Sequence, residues 1–143
     1  MERKVIKQEA KKQVQLNMLP KEDDIRVVQY DNPEVVQQVE DMYPEMTDEF
    51  KMIMYTQYEL FCKKQLNYGP SNISVGTSLE TQEDVKLSLT GLWFRMNDKI
   101  QRLKQLVVLG QSDTVGESIN DTYQDLSVYG IIAQIVKNGK WAK

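Results

Sequence analysis

Three acidic residues, Glu117, Asp121 and Asp125, carry the strongest chemical signal in this sequence. They lie four residues apart in a segment that is predicted to begin the last helix, so their side chains share one face. Farther along, the same face carries Val128 and Ile132, and a helix that is apolar nearly all round is normally buried. Three like charges in a partly buried space need a cation, and Mg²⁺ is the usual cation for oxygen ligands.

The same pattern is also typical of a solvated helix face. Glu117 lies near the predicted helix start, where a negative charge is favoured by about 0.3–1 kcal/mol without any metal. Like charges four residues apart cost only about 0.2–0.5 kcal/mol per pair, which a solvated face tolerates. The spacing alone therefore leaves both a magnesium site and a solvated face open.

Charged residues on the preceding predicted helix give these acids candidate partners. Arg95, Asp98 and Arg102 are three or four residues apart and share a face, and Lys99 lies beside them. Such a mixture is commonly a solvated, salt-bridged stripe. In the alternative interpretation, Asp98 joins the acids as a metal ligand, while Arg95, Lys99 and Arg102 bind phosphate groups.

Three further residues complete the candidate site, and each has a structural interpretation beside the functional one. Glu59 lies among apolar neighbours of an earlier predicted helix, where it is either an additional metal ligand or a surface residue. Tyr68 either packs in the core or stacks on a base. Asn72, in the loop that follows, is the second candidate for contact with a base.

Composition limits the chemistry that is available. The chain has 143 residues, enough for one domain, and its 27% charged and 41% hydrophobic residues are ordinary for a soluble globular protein. It contains no histidine, which excludes histidine bases, Ser-His-Asp and Cys-His catalysis, and ordinary zinc sites. The net charge of −3 argues against nonspecific nucleic-acid binding. A single cysteine, Cys62, with no membrane-spanning run and no signal peptide, predicts a cytoplasmic protein without membrane contact.

Helical periodicity dominates the chain and predicts an all-α fold. Helices are predicted over 46–66, 82–109 and 117–138, where apolar residues recur at three- and four-residue steps. A short helix is predicted to begin at Asn32-Pro33 and to end near Met42-Tyr43, because a capping residue precedes a proline at the first helical position. The prediction is a bundle of three long helices and a short one. Its predicted core contains Trp93, Met96, Ile100, Leu126 and Ile132.

The other segments are predicted to be less regular. Residues 1–19 are interpreted as a loosely structured arm, mobile or bound to a partner, and 25–30 as a strand-like run that cannot form a sheet alone. Residues 71–78 are predicted to form a loop. The predicted domains are therefore 1–45, the arm with the short helix, and 46–143, the helical domain.

A resemblance rests on three motifs taken together, in order along the chain. They are KQLNYG at 64–69, GLWFRMNDKIQRL at 91–103 and VGESINDTYQDLSVYG at 115–130. This order resembles the nucleotide modification associated domain 1 family, common in phages and bacteria, over roughly residues 47–137. That family looks distantly similar to the all-α nucleotide pyrophosphohydrolases, the MazG and dimeric dUTPase group. Those enzymes hold Mg²⁺ with carboxylates from two helices and cleave nucleoside triphosphates to monophosphate and pyrophosphate.

The sequence departs from the pattern of those hydrolases at two places. Their first metal-binding helix usually has two glutamates three residues apart, whereas here Glu59 is followed by Cys62 and Lys63. Their second helix usually spaces its Glu and Asp by three, whereas Asp121 and Asp125 are four apart. Nucleotide binding without hydrolysis therefore stays open beside hydrolysis.

The resemblance implies that 46–143 is a nucleotide-binding-like domain and that the protein binds a nucleotide with Mg²⁺. If it is an enzyme, it is a nucleoside triphosphate pyrophosphohydrolase in phage-type nucleotide metabolism or DNA modification, acting in the host cytoplasm if phage-encoded. A homo-oligomer is expected. The alternative is a noncatalytic phage interaction or virion-associated protein, with a protein partner contacted through residues 1–45.

Overall fold

The computed structural model of this protein describes residues 29–143. The predicted arm at 1–19 and most of the strand-like run at 25–30 lie outside these residues, and Gln29 and Tyr30 belong to no regular element. The chain divides into two units, one ending at Asp48 and the other comprising Glu49–Lys143. The second unit contains the core and the candidate site.

Two helices come first in the described range. Helix α1 comprises Pro33–Met42 and confirms the predicted short helix, with proline in its first turn after Asn32. Helix α2 comprises Pro44–Tyr68 and confirms the helix predicted over 46–66. It ends where Gly69 adopts a φ of +66°, a left-handed conformation that costs glycine little.

The segment between the second and fourth helices is more regular than predicted. A one-turn helix, α3, occupies Ser71–Ser74, where a loop was predicted, so that prediction was wrong. It stops at Val75, whose backbone is left-handed with a φ of 54°. The turn begins after Pro70, whose own backbone is already helical, so the proline that was expected to stop α2 also leads into α3.

Helix α4 comprises Gln82–Leu103 and continues as a π-helical segment, Lys104–Val108. The side chain of Thr81 caps its start by accepting a hydrogen bond of 3.1 Å from the backbone N–H of Asp84. A continuous helix was predicted over 82–109. The periodicity located it, but periodicity does not report the wider turn of a π-helix.

Helix α5 comprises Ile119–Lys137 and is capped by Ser118, whose hydroxyl accepts a hydrogen bond from the backbone N–H of Asn120. The prediction of 117–138 is confirmed apart from its ends. The difference matters for the site, because Glu117 precedes the helix instead of lying in its first turn. Its carboxylate therefore does not continue the helical face of Asp121 and Asp125.

The core of the second unit is small and is formed mainly by α4 and α5, which share the most extensive packing between helices. Its buried apolar side chains are Ile73, Leu92, Ile132, Val136 and Trp141. Among the predicted core residues, Ile132 is confirmed, Met96 is partly buried against the core, and Leu126 is half-buried.

Two predicted core residues were assigned wrongly. Trp93 and Ile100 are 57% and 52% exposed. Helix α4 carries apolar residues on more than one face. The face that packs inward contains Ser88 and Leu92, and Trp93, the next residue along the helix, points in a different direction. Periodicity shows that an apolar stripe exists but does not say which of two adjacent stripes is buried.

Within residues 29–143 the structure is all-α and contains no strand, which confirms the predicted fold class of three long helices and a short one. None of the helices in this described range combines the length and the apolar composition that crossing a lipid bilayer requires.

Candidate functional site

A pocket of about 370 Å³ lies among the second half of α2, α3, α4 and α5. Four of the sequence-predicted site residues line it: Tyr68, Asn72, Arg95 and Asp125. A basic side chain of α2, Lys64, lines it as well. The pocket thus gathers aromatic rings, amides, two cations and a carboxylate together with aliphatic side chains, a composition typical of small-molecule sites.

Arg95 is held at the pocket by two contacts. Its Nη2 donates a hydrogen bond of 2.9 Å to the backbone oxygen of Asn72, and its guanidinium carbon lies 6.0 Å from the centre of the Tyr129 ring. A guanidinium has five N–H donors, so this hydrogen bond leaves others for a ligand. Arg95 therefore both fixes the α3 turn and presents positive charge to the pocket.

The turn at 70–73 is also held from two other elements. Ser88 on α4 is buried and donates a hydrogen bond of 2.6 Å from its hydroxyl to the backbone oxygen of Ile73. The indole N–H of the buried Trp141 donates to the backbone oxygen of Pro70 at 3.1 Å. One wall of the pocket is thus positioned by side chains from two later parts of the chain, α4 and the segment after α5.

Lys99 on α4 makes the central ion pairs beside the pocket. Its Nζ lies 2.9 Å from Asp125 Oδ2 and 3.4 Å from Glu117 Oε1, and its side chain is only 21% exposed. The hydrogen bond to Asp125 raises the pKa of Lys99 above its ordinary value and outweighs the opposing effect of partial burial. Asp125 has a second, longer partner, because Lys64 Nζ lies 3.6 Å from its Oδ1. The ammonium group of Lys99 therefore stays charged between two carboxylates.

Arg102, which is predicted to bind phosphate, contacts the loop before α5 and the first turn of that helix. Its guanidinium donates to the backbone oxygen of Glu117 at 2.6 Å and to the hydroxyl of the fully buried Thr122 at 2.5 Å. A third, longer hydrogen bond reaches the backbone oxygen of Ser118, and Asp113 lies 3.5 Å away. These contacts place Glu117 beside Lys99 although the residue lies outside the helix.

The other predicted metal ligands lie apart from this pair. Glu59 is exposed on α2 and forms an ion pair of 2.6 Å with Lys63, its neighbour one turn later. Asp98 on α4 and Asp121 in the first turn of α5 are both exposed. Only Glu117 and Asp125, of the five predicted acids, share a partner in this part of the chain.

The carboxylates of a single chain therefore fit Mg²⁺ poorly. Among residues 29–143, no three acidic or cysteine side chains come close enough together to hold a metal ion. The position between Glu117 and Asp125 is taken by the ammonium of Lys99, which supplies the positive charge that the acids need.

Lys64 and Tyr129 line the pocket but are not among the site residues predicted from the sequence. Both lie in the motifs that carried the family resemblance, at 64–69 and 115–130, so a signal was present. Neither stands out by charge or aromatic pattern alone. Their position becomes evident only once α2 and α5 are brought side by side at the pocket.

Comparison with known proteins gives one finding that bears on this site. Residues 82–136 match the family described as nucleotide modification associated domain 1. The match covers α4, the loop after it and nearly all of α5, including Arg95, Lys99 and Asp125. The wider resemblance drawn from the sequence, which began near residue 47, extends beyond it. No curated protein and no solved structure shows significant similarity to the chain.

Proposed function

We propose that this protein binds a nucleotide in the pocket formed by α2, α3, α4 and α5. The observation that carries the proposal is the gathering of Tyr68, Asn72, Lys64 and Arg95 around one cavity. An aromatic face suits a base, an amide suits the polar edge of a base, and two cations suit phosphate. The family matched by residues 82–136 is associated with nucleotide modification, which supports the same class of ligand.

The two parts of such a ligand have separate contacts available. Tyr68, at the end of α2, is two-thirds exposed and has an open ring face on which a base can stack. Lys64 lies one turn earlier on the same helix, and Arg95 faces the cavity from α4. The phosphate would therefore lie between α2 and α4, with the base toward Tyr68 and Asn72.

Binding, as opposed to turnover, is the function that the geometry supports. Hydrolysis to monophosphate and pyrophosphate, as the hydrolase resemblance implies, relies on a metal held by several carboxylates. In the described range Glu117 and Asp125 are paired with Lys99, and Glu59 with Lys63. A role in phage-type nucleotide metabolism or DNA modification would thus rest on recognition of a nucleotide.

Calorimetric titration of the protein with the common ribo- and deoxyribonucleotides tests the proposal. Tyr68→Ala should weaken binding by about 1–3 kcal/mol, roughly 5- to 150-fold in Kd, if the ring stacks on the base. Tyr58→Ala is the matched control, because Tyr58 lies on the same helix, is equally exposed at 66%, and does not line the pocket. The control should bind like the wild type.

Two results would contradict the proposal. Equal nucleotide affinity of the Tyr68→Ala and Tyr58→Ala variants would show that the base does not stack on Tyr68. No heat and no thermal shift with any nucleotide would leave the noncatalytic interaction protein as the better interpretation.

A further inference from the structure

We propose that the pocket takes a nucleoside monophosphate and binds it without a metal ion, because Lys99 already occupies the cation position between Glu117 and Asp125. This inference rests on the proposed nucleotide binding and specifies the ligand class of the same site. It departs from the magnesium-dependent triphosphate binding that the sequence resemblance implies.

The first argument is the place of the Lys99 ammonium. Its Nζ contacts Asp125 at 2.9 Å and Glu117 at 3.4 Å, so both carboxylates face the same internal cation. Arg102 adds a second positive charge 3.8 Å from Glu117. A divalent ion would have to displace the lysine and would meet a guanidinium beside it. The described residues contain no cluster of three acids that could hold such an ion.

The second argument is the balance of charge in the pocket. Lys64 and Arg95 are the basic residues that line it, and its one acid, Asp125, contacts Lys99 at 2.9 Å and Lys64 at 3.6 Å. A phosphate monoester carries about −1.5 to −2 charges at neutral pH. Arg95 and Lys64 match that charge once the phosphate replaces Asp125 as the partner of Lys64, because Asp125 keeps its nearer partner, Lys99. Additional phosphate groups bring negative charge that the pocket has no further cation to neutralise.

The third argument is size. At about 370 Å³, the cavity lies near the lower end of the roughly 300–1,000 Å³ usual for small-molecule pockets. A base, a sugar and one phosphate fill such a space. A triphosphate chain would have to extend past Lys64 or Arg95 into solvent, where contacts add little.

Titrations with mono-, di- and triphosphates of one nucleoside, each in EDTA and in millimolar Mg²⁺, test the ligand class. The monophosphate should bind at least as tightly as the triphosphate, with the same Kd in EDTA and in Mg²⁺. Triphosphate binding that is tighter and requires Mg²⁺ would overturn the inference while leaving nucleotide binding intact. No binding of any of the three would overturn the proposed function and the ligand class with it.

A second experiment needs no nucleotide and isolates Lys99. Magnesium alone is titrated against the wild type, Lys99→Met and the control Lys86→Met, an exposed lysine of the same helix, with the melting temperature as the readout. The wild type and Lys86→Met should not respond to Mg²⁺. Lys99→Met should melt several degrees lower and regain stability in Mg²⁺, because it leaves two neighbouring carboxylates without their cation. A wild-type response as large as that of Lys99→Met, or none in Lys99→Met, would show that Lys99 does not hold a cation position.

Discussion

Lys99 and Asp125 form an ion pair of 2.9 Å that joins α4 to α5 at the edge of the pocket. The lysine is largely shielded by its surroundings and the carboxylate belongs to the cavity wall, so one contact links the helix packing to the electrostatics of the site. Because the hydrogen bond raises the pKa of Lys99, the ion pair contributes to folding stability with a definite pH dependence.

The contribution of Lys99 should persist through neutral pH and disappear in strong alkali. An unfolded lysine has a pKa of about 10.4, and the pKa of folded Lys99 is higher. The stability from this residue is therefore complete below the unfolded pKa and is lost as the pH rises through the folded pKa. The difference in unfolding free energy between the wild type and Lys99→Met, measured by denaturant titration from pH 7 upward, should therefore stay constant and then shrink above about pH 10.4. A difference that grows with alkaline pH would contradict this assignment.

Arg102→Ala should destabilise the fold. Removing the guanidinium leaves the hydroxyl of Thr122, which is 0% exposed, without its donor, and a buried polar group that loses its partner costs about 1–3 kcal/mol. Arg102→Lys retains the charge but cannot reach the backbone oxygen of Glu117 and the hydroxyl of Thr122 together, so it should recover only part of the loss. Denaturant unfolding measures both variants. A fully stable Arg102→Ala protein with weakened nucleotide binding would return Arg102 to the phosphate-binding role predicted from the sequence.

Substitution by alanine should change the unfolding free energy far more at Leu92 than at its neighbour on α4, Trp93. Leu92 is 2% exposed, so Leu92→Ala should cost about 2–5 kcal/mol through lost burial and a new cavity. Trp93 is mostly exposed and contacts Phe94 edge to face at 5.2 Å, so Trp93→Ala should change stability by less than about 1 kcal/mol in the monomer. Thermal or denaturant unfolding of the two variants compares them directly. Equal losses would mean that Trp93 is covered in solution.

The helices could be predicted from the sequence, because each long helix has an apolar stripe and a strong boundary residue. Gly69 and Gly110, both at positive φ, follow the ends of α2 and of the π-helical segment after α4. What periodicity could not supply was the direction in which α4 faces. Both Leu92 and Trp93 fit an apolar stripe, and only packing against α5 selects the first.

Four of the ten site residues predicted from the sequence line one pocket, and the other six do not. The sequence drew attention to Tyr68, Asn72, Arg95 and Asp125, which the fold does bring to one pocket. The ion pairs could not be predicted from the sequence. Glu117 reaches Lys99 because Arg102 holds the loop in which Glu117 lies. A metal-binding carboxylate and a carboxylate paired with a lysine cannot be distinguished by their sequence pattern.

We expect the outer face of α4 to contact a second copy of this chain, as the predicted homo-oligomer requires. Trp93 and Ile100 are each about half exposed and lie seven residues apart on α4, the spacing with which helices pair along a seam. Sedimentation equilibrium should show a concentration-dependent dimer that Ile100→Glu dissociates. Leu66→Glu, which charges a more exposed leucine on α2, is the control and should remain dimeric. A wild-type monomer at every concentration would contradict this expectation.

The α3 turn is held by hydrogen bonds to its backbone oxygens, so its position does not depend on its own side chains. Trp141, Arg95 and Ser88 bind the carbonyl groups of residues 70, 72 and 73, which every amino acid possesses. A substitution at Asn72 therefore alters what the pocket wall presents to a ligand without removing what holds that wall in place. Substitutions at this position, in evolution or by design, should therefore change the proposed ligand preference while the backbone of the pocket wall stays in place.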